Sequence, residues 1–245
     1  MISPIFTTIV LTFGFIWIYM KLTTKTVNKD TEKFLEREVR ANKVRKQSLD
    51  SLEYIKIPID EIKRPEPYPN ERIAELTGIL VSLSDKTIVN LTGISNTDLK
   101  LSYGAANLPV LTEYDQNFTQ LCTTLYNLGL EYDSIGLRED AIKTFNLGVR
   151  LGTDISGNYT RLAEIYAEMG EFAEIQRLAT SAEGIRSITR QSTISKLLDI
   201  LDSNTSSVSL KDGSESSVND DYDNILPKDI LDILESVPYK SDDQK

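Results

Sequence analysis

Histidine does not occur in this 245-residue chain, which excludes imidazole general bases and His-ligated metal centres. Cysteine occurs once, at Cys122, so neither an internal disulfide framework nor a multi-cysteine zinc or iron–sulfur site can form. No glycine-rich phosphate loop is present, and the carboxylates form no metal-ligand spacing. Cations are in deficit, with 27 Lys and Arg against 37 Asp and Glu and a net charge of −10. Nucleic acid is therefore disfavoured as a partner, because phosphate neutralisation needs a concentrated cationic face. The chain has no recognisable catalytic constellation and is read as a non-enzyme, with no cofactor, no metal and no small-molecule substrate expected.

What is present begins with one long hydrophobic run. Ile2 to Met20, ISPIFTTIVLTFGFIWIYM, contains no charge. As a helix it spans roughly 28 Å, close to the hydrocarbon thickness of a bilayer. Pro4 stands in the first turn, where a missing N–H costs least, and Trp17 and Tyr19 lie near the far end, where amphipathic rings favour the interface. A cleaved leader is the alternative. Against it, no basic residue stands ahead of the run and no small-x-small pattern comes after it. Segment 2–20 is therefore expected to be a transmembrane anchor in the lipid bilayer.

Segment 21–46 then carries nine cations (Lys21, Lys25, Lys29, Lys33, Arg37, Arg40, Lys43, Arg45, Lys46) and four anions (Asp30, Glu32, Glu36, Glu38), a net of +5. The positive-inside bias expects a single-pass protein of the cell membrane, with its N-terminus outside and its C-terminal domain cytoplasmic. A basic juxtamembrane helix is expected over 21–49, with Glu36 four residues ahead of Arg40 as a helical ion pair. It reads either as a solvated stalk or as a segment lying on anionic headgroups. Residues 50–69 are a linker: LEYIKIPID alternates like a short strand, and Pro58, Pro65, Pro67 and Pro69 punctuate the stretch up to Asn70.

From Asn70 the pattern turns helical, with Ile73, Leu76, Leu80 and Leu83 on one face and Asn70 as the cap. Thr87–Leu91 and Asp98–Tyr103 read as further short helices. In 93–118, Tyr103, Tyr114, Asp115 and Asn117 either line a binding surface or serve packing and capping. The informative comparison is between 122–155 and 156–189. A shift of thirty-four residues lays Leu128 on Leu162, Gly129 on Ala163, Tyr132 on Tyr166, Gly136 on Gly170, Ala141 on Ile175, Phe145 on Ala179 and Gly148 on Ala182. That spacing describes a helical hairpin. Leu128 and Tyr132 share one face of the first helix, a small residue at 129 or 163 lets the partner helix approach, and glycine takes the turn.

These landmarks resemble the tetratricopeptide repeat, with its large residue, Leu-Gly, Tyr, then Ala, Phe and Ala. The terminal proline of that motif is replaced by Thr153 and Ser187. The resemblance implies a short solenoid of helical hairpins over 70–202, which with the expected transmembrane helix makes an all-α fold. Segment 185–202 would cap it through Ile188, Ile194, Leu197, Leu198 and Leu201, because each repeat buries its apolar face only against neighbours. Taken whole, the chain is similar to uncharacterised single-span bacterial membrane proteins carrying a short cytoplasmic repeat domain.

In that family the first helices of successive hairpins line a groove that holds peptides. The resemblance makes Tyr126, Asn127, Leu130, Arg161, Glu164 and Glu168 the candidate groove residues here. Asn127 and Arg161 match two positions of the cluster with which some members grip a carboxylate, whereas Tyr126, Leu130 and Gly157 replace the rest; solvated helix faces are the alternative. Cys122, inside a helix with no activating group, reads as a small buried hydrophobe. Segment 203–224 has too little apolar content to order itself. Segment 225–236 is a short amphipathic element whose Ile230, Leu231 and Leu234 either bind a partner, fold back on the domain, or have no role. The functional expectation is a membrane-anchored adaptor or scaffold binding a protein or peptide partner. The alternative is a structural subunit of a membrane complex, assembled through the span and the juxtamembrane helix.

Overall fold

The computed structural model describes residues 4–62, 64 and 66–211, without side-chain detail for 4–7, 9–10, 22–29 and 205–211. The described residues are all-helical, with helices α1 (Pro4–Asn42), α2 (Ile59–Ile62), α3 (Glu71–Ser84), α4 (Asn96–Tyr103), a 3₁₀ turn (Ala105–Asn107), α5 (Leu108–Ser134), α6 (Arg138–Arg150), α7 (Ser156–Met169), α8 (Phe172–Ala182) and α9 (Arg190–Lys211). Two compact units divide the chain: Met1–Tyr54 with Thr87–Phe118, and Ile55–Lys86 with Thr119–Lys245. Among the described residues there is no strand. The alternating run near Tyr54, expected as a strand, makes only an isolated bridge between Tyr54 and Val89, and Pro58 turns the chain into α2 instead.

In the first unit, α1 joins the apolar run and the basic segment in one unbroken helix, since no proline interrupts it after Pro4. Among the described residues, which carry no side-chain detail at 4–7, 9 and 10, no helix is long and apolar enough to cross a membrane. The end of α1 packs on α4. The expected pair of Glu36 with Arg40 is not the one that forms: Arg37 pairs with Asp98, and Glu38 with Lys100. Thr97 Oγ1 also donates to Glu38 at 2.7 Å. Ala41, fully buried, lets the helices close. The chain beyond α1 is then held by backbone contact. Gly104, at φ 86°, lies flush on the Arg45 carbonyl, where a Cβ would collide with the oxygen. Gln47 N–H donates to Tyr103 O, and buried Asn107 donates to the carbonyls of Gln47 and Tyr103 at 2.8 Å.

The core of this unit is Val89, Leu91, Leu99 and Leu111, with Leu49, Leu52, Tyr103, Leu108 and Tyr114 against it. Residues 87–91 are not the helix that the sequence suggests. They are an extended stretch tied to α5, with Asn117 donating to Thr87 O at 3.0 Å and Asp115 accepting from Leu91 N–H at 3.2 Å. Tyr103, Tyr114, Asp115 and Asn117 are thus engaged in packing and capping, the second of the two roles weighed for them.

In the second unit Asn70 caps α3 as its position suggests, its side chain accepting from Ile73 N–H at 2.8 Å. Ile73, Leu76, Leu80 and Leu83 are buried. Beyond them stand two hairpins: the end of α5 with α6, and α7 with α8. Their turns match across the thirty-four-residue shift. Gly136 and Gly170 are both left-handed, at φ 80° and 76°. Leu137 N–H bonds Tyr132 O at 2.9 Å, and Glu171 N–H bonds Tyr166 O at 2.9 Å. Leu128 and Leu162, Ala141 and Ile175, Phe145 and Ala179 are all buried.

The second hairpin is fastened to the first by Asn158, whose Nδ2 donates to Phe145 O at 2.9 Å, and by Asn146, which donates to the Tyr166 hydroxyl at 2.8 Å. The Tyr132 hydroxyl, by contrast, is buried and has no partner within hydrogen-bond geometry among the described residues. Helix α9 closes the far end against α7 and α8. Ile194, Leu197 and Leu201 point inward and Leu198 is half-buried, but Ile188, expected inside, is fully exposed because α9 begins two residues after it. Helix α9 also continues to Lys211, past the expected linker start at Ser203. In that extension the side chains of Ser203 and Asn204 donate to the carbonyls of Asp199 and Ile200 at 2.7 Å. The remainder of 203–224 and the whole of 225–236, with Ile230, Leu231 and Leu234, lie outside the described residues.

Candidate functional site

The six residues singled out on the repeat helices all lie on α5 and α7, but their chemistry differs from that of a free peptide groove. Arg161 is the centre of an internal charge network. Its Nε donates to Asp133 Oδ2 at 2.7 Å, its second nitrogen to Glu164 Oε2 at 2.7 Å, and Glu168 stands 4.0 Å away. The two close carboxylates hold its pKa above the ordinary guanidinium value. Glu168 in turn pairs with Arg138 at the start of α6. Arg161 is therefore neutralised by acids of its own chain and is not presented to an incoming carboxylate, so the carboxylate-gripping arrangement weighed from the sequence is not assembled around it.

Tyr126 is also committed. Its ring leans on Phe145 with centroids 6.2 Å apart, and its hydroxyl fills the place where a Cβ on Gly157 would sit, 2.6 Å away. That close approach explains a glycine in the first turn of α7, a position where no local pattern calls for one. Asn127 and Leu130 are half-buried on the same face of α5, and Glu164 and Glu168 are exposed. The face is thus a shallow mixed surface: Tyr126, Asn127 and Leu130 on one helix, and a fully paired charge cluster at its end.

A second concavity, absent from the sequence reading, runs along the outer side of α6. One cavity of about 720 Å³ is lined by α2, Arg64 and the residues from Gly136 to Asp140 with Lys143. A second of about 460 Å³ adjoins it, lined by Glu61, Ile62, Ile142, Lys143, Asn146 and Arg150. Here the linker is docked on α6. Ile62 is buried, Glu61 pairs with Arg150, and Arg64 pairs with Asp140. These partners lie 76 and 89 residues apart, and no local pattern announces them.

Cys122 is buried, as its setting in an apolar helix suggests. Burial pushes its thiol pKa up to about 12, which leaves it protonated and unreactive at neutral pH. Tyr159, nearby, is likewise pushed up to about 12 by burial, while its hydroxyl donates to Thr153 O at 3.1 Å. Among the described residues no group of three or more Cys, Asp or Glu is placed to hold a metal ion. No protein-family model, curated protein or solved structure matches the chain.

Proposed function

We propose that this protein is a membrane-tethered scaffold. A short tetratricopeptide-like domain, held beneath the cytoplasmic face of the cell membrane by segment 2–20, recruits a protein or peptide partner and carries out no reaction of its own. The observation that carries the reading is the repeated turn, in which the same left-handed glycine and the same backbone bond recur at a thirty-four-residue interval. Few architectures other than this repeat use that period, and its usual work is binding. The tether is supported by the uncharged run to Met20 and by α1 itself, where Leu11, Phe13, Phe15, Ile16, Trp17 and Ile18 are all solvent-exposed in the isolated chain. Lys21 lies over the Trp17 ring at 4.8 Å, an arrangement that suits the edge of a bilayer.

The test uses the full chain in its membrane, with a photo-crosslinking residue at Thr123 beside the α5 face. The expected result is a defined set of crosslinked proteins that is lost when Tyr126, Leu130 and Arg161 are replaced together by Ser. An unchanged set would remove recruitment through this face. Protease added from each side of the membrane reads the tether. Cleavage after residue 21 only from the cytoplasmic side supports the orientation, and cleavage from the outside overturns it.

A further inference from the structure

We infer that the concavity along α6 is the seat of the chain's own C-terminal segment, residues 225–236. The argument starts from what already occupies part of it. The linker reaches α6 with the sequence Ile57-Pro58-Ile59-Asp60-Glu61-Ile62. Pro58 opens a single helical turn, closed by Glu61 N–H on Pro58 O at 3.0 Å. That turn delivers Ile62 into α6 and Glu61 to Arg150. The order is apolar residue, proline, any residue, aspartate, any residue, apolar residue.

The same order occurs once more in the chain, at Leu226-Pro227-Lys228-Asp229-Ile230-Leu231. It continues into Asp232, Ile233, Leu234 and Glu235, so that acids alternate with an apolar stripe.

The remaining space fits such a segment. The two cavities share Glu61, Ile62 and Lys143 and so form one trough along α6, with Ile62 and Ile142 as apolar surface. Four cations and three acids line it: Glu61 and Asp140 are ion-paired, and exposed Glu139 stands one helical turn before Lys143. Arg64, Arg138 and Arg150 are each ion-paired, to Asp140, Glu168 and Glu61. Lys143, which touches both cavities, is exposed and has no carboxylate against it among the described residues. An acid arriving with apolar neighbours finds its partner there.

Residues 212–245 hold ten acids and three lysines, a net of −7, which steers them toward an unpaired cation and away from acidic faces. Fourteen residues lie between Lys211 and Leu226, a tether of up to about 50 Å when extended. A helix as short as 225–236 is marginal alone, and its Ile and Leu side chains gain most by entering such a trough.

The experiment is zero-length carbodiimide coupling on the full chain, mapped by mass spectrometry on a mixture of light and heavy isotope-labelled protein. The expected product joins Lys143 to Asp229, Asp232 or Glu235 within one chain. Replacing Leu226 and Leu231 by Ser is expected to cut that product about tenfold or more, because burial of each leucine accounts for at least that factor. Three results overturn the inference: no link from Lys143 to 229–235, links only between light and heavy chains, or a yield that the two Ser substitutions leave unchanged. None of these outcomes bears on recruitment by the α5 and α7 face, which stands or falls separately.

Discussion

Gly129 and Phe145 occupy one space: a Cβ on Gly129 would stand 2.5 Å from Phe145 Cε1. The aromatic ring of α6 lies directly on the backbone of α5, and the first hairpin closes because one residue has no side chain. Thirty-four residues on, the same two slots hold Ala163 and Ala179, both buried. The pair has exchanged a ring and a hydrogen for two methyl groups.

Gly129→Ala is therefore expected to destabilise by about 1 kcal/mol net. Overpacking costs ~1–3 kcal/mol, and roughly 1 kcal/mol returns through better helix propensity. Phe145→Ala alone is expected to cost about 3–5 kcal/mol as a cavity. The double variant, which recreates the alanine pair of the second hairpin, should lose less than the sum of the two. Denaturant unfolding of the four proteins in a cycle checks this; strict additivity would show that the ring is not pressed on residue 129.

Alkaline instability is expected from Cys122. Its folded-state pKa, about 12, lies above the ordinary thiol value of 9.0. The folded protein therefore keeps a proton that the unfolded chain releases, and stability falls as pH rises from about 9 toward 12. Tyr159, also raised to about 12, acts in the same direction above pH 10. Cys122→Ala should flatten the slope between pH 9 and 10, measured by denaturation midpoints. At pH 8 the thiol of the native protein should resist alkylating reagents and react only after unfolding.

Acid should loosen the docking of α1 on α4. Glu38 is held below the usual carboxylate range, first by the Lys100 ammonium and then by the Thr97 hydroxyl. Asp98 is lowered as well, first by the Ser95 hydroxyl and also by Arg37. A lowered folded-state pKa gives stability that is present at neutral pH and is lost as pH falls below about 4.5 through the folded value. Protection factors of the α4 amides, corrected for the intrinsic exchange rate at each pH, should fall over that window while those of α7 hold. Lys100→Met, which removes the first cause, should make the α4 amides exchange faster already at pH 7 and blunt their acid response.

The candidate site was only partly legible. Arg161 was visible as a cation on a helix face, and its i,i+3 neighbour Glu164 is readable from spacing alone. Asp133 is not, because it reaches Arg161 from α5, twenty-eight residues away, and it turns a would-be ligand-binding arginine into an internally paired one. The trough along α6 left no signature at all. The prolines marked its linker wall as a loop, and only folding brings Ile62 and Glu61 against α6.

By itself, the sequence determined the features that depend on near neighbours. It set the glycine turns at 136 and 170, the Asn70 cap, the buried faces of α3 and of the hairpins, and the inert setting of Cys122. Each arises from helical periodicity or backbone conformation, which act over a few residues. The tertiary structure alone decided the partners of charged and aromatic groups: Glu38 with Lys100 rather than Glu36 with Arg40, Tyr126 against Gly157, Ile188 in water. Those choices rest on distances between segments far apart in the chain, and such distances exist only once the helices have packed.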